Sequence, residues 1–156
     1  MQDFDSAAFF LQKLQRHTRL NEDERQAFLS VSKPAYSVPA GTDIVKRGEY
    51  VSTTCLVVQG LLARTFDTAS GHRQIAALYV PGEMPDVHAA MITSATATLH
   101  ALSVTRVVRM PRTVLTPVLR QYPVLAEALW RETIIDAIIS MEWTANINKP
   151  AAEVKK

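Results

Sequence analysis

Apolar positions near the start of the chain recur at helical intervals. Phe9, Phe10 and Leu14, then Leu20, are separated by Gln12, Lys13, Gln15 and Arg16, which predicts a helix from about Asp5. Asn21 followed three residues later by Glu24 is a capping-box pattern and predicts a short helix carrying Phe28, Leu29 and Val31. From Pro34 to Met110 the period shortens. Turn residues at 39–42 and 46–49 bracket a strand from Asp43 to Val45, and 55–59, 61–67, 73–80, 96–103 and 106–110 read as further strands. Residues 68–71, Thr-Ala-Ser-Gly, read as a hairpin turn. About seven or eight short strands at roughly ten-residue spacing predict a sandwich, barrel or roll.

The helical period then returns. Pro111 predicts a helix start, and Pro123 predicts a longer helix reaching about Asn146, roughly 35 Å at 1.5 Å per residue. Ile134, Ile135, Ala137, Ile138, Ile139 and Met141 cover more than one face of it. A helix apolar nearly all round is buried on more than one side. One side can lie on the β-domain, and the other needs a partner, so a homodimer through this helix is expected. The division that follows is 1–33 for the N-terminal helices, 34–122 for the roll, 123–148 for the dimerisation helix and 149–156 for a solvated tail.

Composition narrows the class. At 156 residues, 47% hydrophobic and 21% charged, the chain matches one ordinary soluble domain. The net charge of +2 is too small to argue for a nucleic-acid surface. No run is apolar enough to span a bilayer, and the first six residues lack the pattern of a signal peptide, so a cytoplasmic setting is expected. A single cysteine, Cys55, allows no internal disulfide; a buried structural thiol is the default reading and a redox switch the minority one. His17, His72, His88 and His100 show no ligand spacing, so neither metal nor haem is expected. Nucleophile motifs and phosphate-binding Gly-rich loops are missing, which argues against an enzyme.

Helices, a roll of short strands and one long helix form the order of the Crp/Fnr sensor domain, and several motifs strengthen that resemblance. Val38-Pro39-Ala40-Gly41, Ile44-Val45 and Gly48-Glu49 resemble the first turns of the family's roll. Gly60-Leu61 and Gly71 with Arg73-Gln74-Ile75 resemble its central hairpin, and Tyr79-Val80-Pro81-Gly82-Glu83 resembles the entry to its phosphate-binding cassette. The stretch from Ala128 to Ala137, with Glu142, Trp143 and Asn146, is similar to the dimer helix of a bacterial subgroup. The fold this implies is mainly β with flanking helices: a jelly-roll-like, double-stranded β-helix of the cyclic-nucleotide-binding type plus a long C-terminal dimerisation helix. The implied function is sensing a small ligand or signal, without catalysis.

The resemblance also implies a ligand site. A Gly-Glu pair opens the cassette and an Arg followed by Ser or Thr closes it, the arginine neutralising a cyclic phosphate. Gly82, Glu83 and Met84 are carried onto the opening, Ala95 and Thr96 onto the closing pair, and Ile135 and Asp136 onto the positions that face the base from the long helix. With Ala95 where the arginine belongs, a buried phosphate would go unpaired, and weak or no cAMP binding is expected. No other cofactor is implied. Glu83 has two readings, as an acceptor for a ligand hydroxyl or as a turn residue. Asp86 and His88 read as a ligand contact, a mutual hydrogen bond or, more often, a helix cap. Asp136 among isoleucines needs a partner, Arg131 or an arginine of the other chain, unless it faces water. Arg106, Arg109 and Arg112 read as solvated charges. Only nine residues follow Ile147, so this chain alone is not expected to read DNA as full-length relatives do. The competing classes are a ligand-free dimerisation module and, further off, a cupin-like enzyme, for which the histidines are too few and too dispersed.

Overall fold

A computed structural model describes residues 3–147. The elements run α1 (Asp3–Gln15), α2 (Glu22–Ser30), β1 (Tyr36–Val38), β2 (Asp43–Val45), β3 (Thr53–Gln59), β4 (Leu62–Asp67), β5 (Arg73–Tyr79), a 3₁₀ turn (Val87–Ala90), β6 (Thr98–Ala101), β7 (Thr105–Pro111), α3 (Arg112–Gln121) and α4 (Pro123–Ile147). The expected tail at 149–156 lies outside the described residues. Two antiparallel sheets form the roll, one ordered β1-β7-β3 and the other β2-β6-β4-β5. The mainly β roll with flanking helices and a long last helix is the architecture the sequence predicts.

The strand pattern explains why the roll has two cores. Thr54, Cys55, Leu56, Val57 and Val58 of β3 are buried in succession. Alternate side chains of a strand point to opposite faces. Leu56 and Val58 pack under the helices with Phe10, Phe28, Met110, Leu115, Leu125 and Leu129. Cys55 and Val57 face the roll interior with Leu62, Tyr79, Leu99 and Val107. So β3 is a central strand covered on both sides, and its unbroken apolar run is the sequence signature of that position.

Local chemistry sets the element ends. Asn21 caps α2 through the reciprocal pair with Glu24, at 2.9 Å to the Glu24 N–H and 2.7 Å back from the Asn21 N–H. Pro111 differs slightly from expectation: it closes β7 opposite Thr53 and sits at the N-cap of α3, not in its first turn. Strand β6 is shorter than the run 96–103 suggested: its ladder to β4 spans Thr98–Ala101, and Ala95 ahead of it makes backbone bonds with Gly48 and Glu49 instead. The three-residue β1 was not separable by pattern, being too short to show a period.

Helix α4 crosses the whole domain, about 37 Å at 1.5 Å per residue. Leu125, Ala128 and Leu129 enter the helical core, while Trp130, Ile134, Ile138, Ile139 and Met141 stay exposed. Glu132, Asp136 and Ser140 recur at four-residue intervals along α4. Glu132 pairs with Lys13 of α1 at 2.7 Å and Asp136 with Arg64 of β4 at 2.9 Å.

Candidate functional site

The turn after β5 carries three of the residues assigned to the cassette opening. Gly82 adopts φ +89°, and a Cβ there would run into the Phe9 ring, so only glycine fits. Its N–H donates to the Val57 carbonyl at 2.8 Å, and the Val57 N–H donates to the Glu83 carbonyl at 2.9 Å. The Glu83 carboxylate turns back to accept the Val80 N–H at 2.9 Å. Met84 is buried in the helical core. In this arrangement Gly82 and Glu83 staple the turn to β3, the turn-residue reading of Glu83.

The residues of the assigned site fall into two separate places. Glu83, Met84, Ile135 and Asp136 surround a small cleft with Lys13, Tyr79 and Glu132, about 40 Å³ in volume. Ala95 and Thr96 line a different cavity of about 20 Å³, with Asp86, His88, Arg64 and Leu99. Twenty cubic ångströms hold about one water, whereas small-molecule pockets run to roughly 300–1,000 Å³. Neither space is large enough as it stands to hold a nucleotide.

Asp86 departs from the cap reading. It occupies the N-cap position of the 3₁₀ turn but makes no cap bond there. Its Oδ1 instead accepts the Cys55 N–H at 3.0 Å, tying the turn to β3. Burial pushes its pKa up to about 6, against the lowering effect of the hydrogen bonds from Cys55 and the charge of Arg64. His88 makes no bond to Asp86; its Nε2 lies 3.5 Å from Thr96 Oγ1, and burial together with the Arg64 charge holds its pKa low. Burial and the neighbouring Asp86 raise the Cys55 thiol well above its ordinary value, so it stays protonated and poorly nucleophilic.

Within the chain the partner of Asp136 is Arg64, not Arg131. Arg64 Nη2 lies 2.9 Å from Asp136 Oδ2 and donates to the Pro85 carbonyl at 2.5 Å. Its guanidinium stands 5.2 Å from the Tyr79 ring centroid, and the Tyr79 hydroxyl donates to Asp136 at 3.1 Å. Burial raises the Tyr79 pKa, so the phenol keeps its proton and the hydrogen bond to Asp136. Arg131 is engaged elsewhere, donating to the His17 carbonyl and to Thr18 Oγ1. Arg109 is not simply solvated either: its guanidinium lies 3.8 Å above the Tyr36 ring.

Sequence reasoning missed Arg64 and Ser140. A β-bulge re-aims side chains, and the register of β4 against β5 jumps between Arg64↔Ala77 and Thr65↔Ile75. Such a jump is invisible in a hydropathy pattern. A usable signal was present on α4, where Glu132, Asp136, Ser140 and Thr144 recur every four residues and mark one polar line on an otherwise apolar helix. Among the described residues no group of three or more His, Cys, Asp or Glu is placed to hold a metal, and no helix is long and apolar enough to cross a membrane.

Comparison with known proteins agrees with this geometry. Comparison with curated proteins found no match. Among solved structures, the c-di-GMP-responsive global regulator CLP of Xanthomonas campestris superposes with a TM-score of 0.67 at 13% identity, covering 80% of this chain and 63% of that one. The catabolite activator protein of Thermus thermophilus gives 0.67 at 20% identity, covering 85% and 62%. FixK2 of Bradyrhizobium japonicum gives 0.66 at 21%, covering 72% and 55%. The chain thus spans less than two thirds of the length of each of these Crp/Fnr-type neighbours, which share its fold. The family model described as cyclic nucleotide-binding domain matches residues 36–122, more than half of the chain, from β1 to the end of α3, and the chain therefore belongs to the cyclic nucleotide-binding domain family.

Proposed function

We propose that this chain is the signal-sensing domain of a Crp/Fnr-type transcription regulator, cytoplasmic and non-catalytic, acting as a homodimer through α4. The observation that carries this reading is the position of Arg64. Its side chain lines the cavity of Ala95 and Thr96, and its Nη2 bridges to Asp136 on α4. Any movement that opens the cavity pulls on the helix whose far side offers Trp130, Ile134, Ile138 and Met141 to a second copy. Occupancy would then bias the angle between two such helices, and ligand affinity and helix geometry would be reciprocally coupled.

The ligand is not proposed to be a tightly held cyclic nucleotide. Ala95 offers no charge for a phosphate, and a charge-assisted hydrogen bond to a buried group is worth about 1.5–3 kcal/mol, or one to two powers of ten in affinity. A second reading, an empty roll that only supports the dimer helix, is favoured by the small volume of the cavity. Calorimetry separates the two. On the sensor reading, cAMP binds no better than high micromolar and Ala95→Arg strengthens it about tenfold or more. An unchanged affinity in that variant would favour the empty module, and low-micromolar binding to the wild type would contradict the role given to Ala95.

A further inference from the structure

An opening of about 170 Å³ lies where β1, β2, β3 and β7 meet. Among the described residues, none of β4, β5 or α4 lines it. Tyr36, Tyr50, Ser52, Thr53 and Arg109 form its polar side and belong to neither of the spaces around the assigned site. Ile44, Val45 and Val51 form its apolar side, and Asp86 lines both this opening and the cavity of Ala95 and Thr96. The volume exceeds that of several waters and falls short of the roughly 300 Å³ at which drug-sized pockets begin, which limits an occupant to a handful of heavy atoms.

The strand ladder brings two opposite charges to this opening without joining them. Arg109 of β7 is the register partner of Cys55 on β3, and Tyr36 of β1 pairs with Val107, two residues before Arg109 and on the same face. That diagonal places the Arg109 guanidinium 3.8 Å from the Tyr36 ring centroid. Among the described residues Arg109 has no carboxylate partner, so its fork, held by the ring, keeps donors for an incoming carboxylate. Asp86 approaches from the β3 side: its Oδ1 accepts the Cys55 N–H at 3.0 Å, and a carboxylate can accept about four such bonds. Among the described residues no ion pair closes it, whereas Asp43 is closed by Arg73 at 3.0 Å and Asp136 by Arg64 at 2.9 Å. The Tyr36 phenol feels both charges: burial raises its pKa, Arg109 lowers it and Asp86 raises it, and the phenol keeps its proton as a donor. A desolvated carboxylate and an arginine that share one space without pairing carry a cost, which an occupant bearing both charges would relieve.

The geometry points to this opening as a site for a free α-amino acid with a small aliphatic side chain. Its carboxylate meets Arg109 and the Tyr36 hydroxyl, its ammonium meets Asp86, and its side chain lies against Ile44, Val45 and Val51. A lone anion would face the Asp86 charge and a lone amine the Arg109 charge, so a ligand with one charge leaves one of the two residues unpaired. The site is independent of α4 and of the sensor reading. Asp86 stands at the start of the 3₁₀ turn, so an occupied site fastens that turn to β3 and β7.

The test is an NMR titration of the full chain at about pH 8, above the Asp86 pKa of about 6, with L-valine, its deaminated analogue isovalerate and its decarboxylated analogue isobutylamine. Valine should give saturable shifts of the Tyr36, Ser52 and Cys55 amides at millimolar concentration. Each analogue should bind at least about tenfold more weakly, the contribution of one charge-assisted hydrogen bond. Arg109→Gln, at an exposed position, should weaken valine about tenfold or more and bring it level with isobutylamine. Asp86→Asn should weaken valine to a similar extent and bring it level with isovalerate. These two changes of preference report which charge each residue meets, and a general loosening of the fold would not produce them. No saturable shift with valine, either analogue binding as tightly as valine, or a preference unchanged in Arg109→Gln would each overturn the inference.

Discussion

The first ten residues of α4 and the fifteen that follow use the same kinds of side chain for different ends. Leu125, Ala128 and Leu129 are 0–2% exposed, packed beneath β3 with Phe10, Phe28 and Leu115. Ile134, Ile138, Ile139 and Met141 are 45–64% exposed, although they are as apolar as the first group. Burying one such side chain is worth about 1.5–3 kcal/mol, so four left in water are a large unmet driving force on one short stretch. Single exposed apolar residues are ordinary, but a contiguous patch on one helix is the mark of an interface. In the proximal half Leu125, Ala128 and Leu129 belong to this chain's own core, while Trp130 is exposed. The distal half leaves these apolar side chains exposed, and Asp136 ties it to the roll through Arg64 and Tyr79.

That division can be broken from either side. Leu125→Ala should lower the free energy of unfolding by about 2–5 kcal/mol, the cost of a cavity in a closely packed site. A loss under about 1 kcal/mol in a denaturant melt would show that the proximal half is not core. Ile138→Asp should leave the secondary structure intact and raise the dimer dissociation constant about a hundredfold or more, because each interface carries the buried charge twice. If association is unaffected, the distal face is not where copies meet.

Asp86→Asn sharpens the boundary by acting within the roll alone. Burial raises the Asp86 pKa from 3.8 to about 6, so the folded state holds its proton more tightly than the unfolded chain. A raised carboxyl pKa contributes stability that is fully present below the unfolded value and is lost as pH rises through about 6. The asparagine keeps an oxygen for the Cys55 N–H and carries no charge. It should stabilise the fold at pH 7 by about 1–3 kcal/mol, with the gain vanishing below about pH 4. A variant with the same pH profile as the wild type would show that Asp86 is not desolvated. The smallest expected effect concerns Cys55: its protonated thiol should react with iodoacetamide only on unfolding, and rapid alkylation of the native protein would contradict its burial.

What could be read from the sequence follows the range of each signal. The Asn21–Glu24 box is a contact between residues three apart, and it formed as the letters indicate. The unbroken apolar run of β3 and the apolar residues of α4 extend over whole elements, so an error of a residue or two at either end leaves them legible. The candidate site depends on contacts between distant segments, and there the sequence was less informative. Gly82 and Glu83 lie beside β3 and α1, whereas Ala95 and Thr96 lie across the roll by the 3₁₀ turn, so motif order did not imply a common cavity. Arg64 and Asp136 are far apart in the chain and meet only once the roll closes against α4, which a local pattern does not show.

The central claim is that the distal half of α4 is covered by a second copy of this chain. Sedimentation velocity at micromolar concentration and physiological salt tests it most directly. The account predicts one species of about twice the 17.3 kDa chain mass, and a clean 17.3 kDa monomer would contradict it.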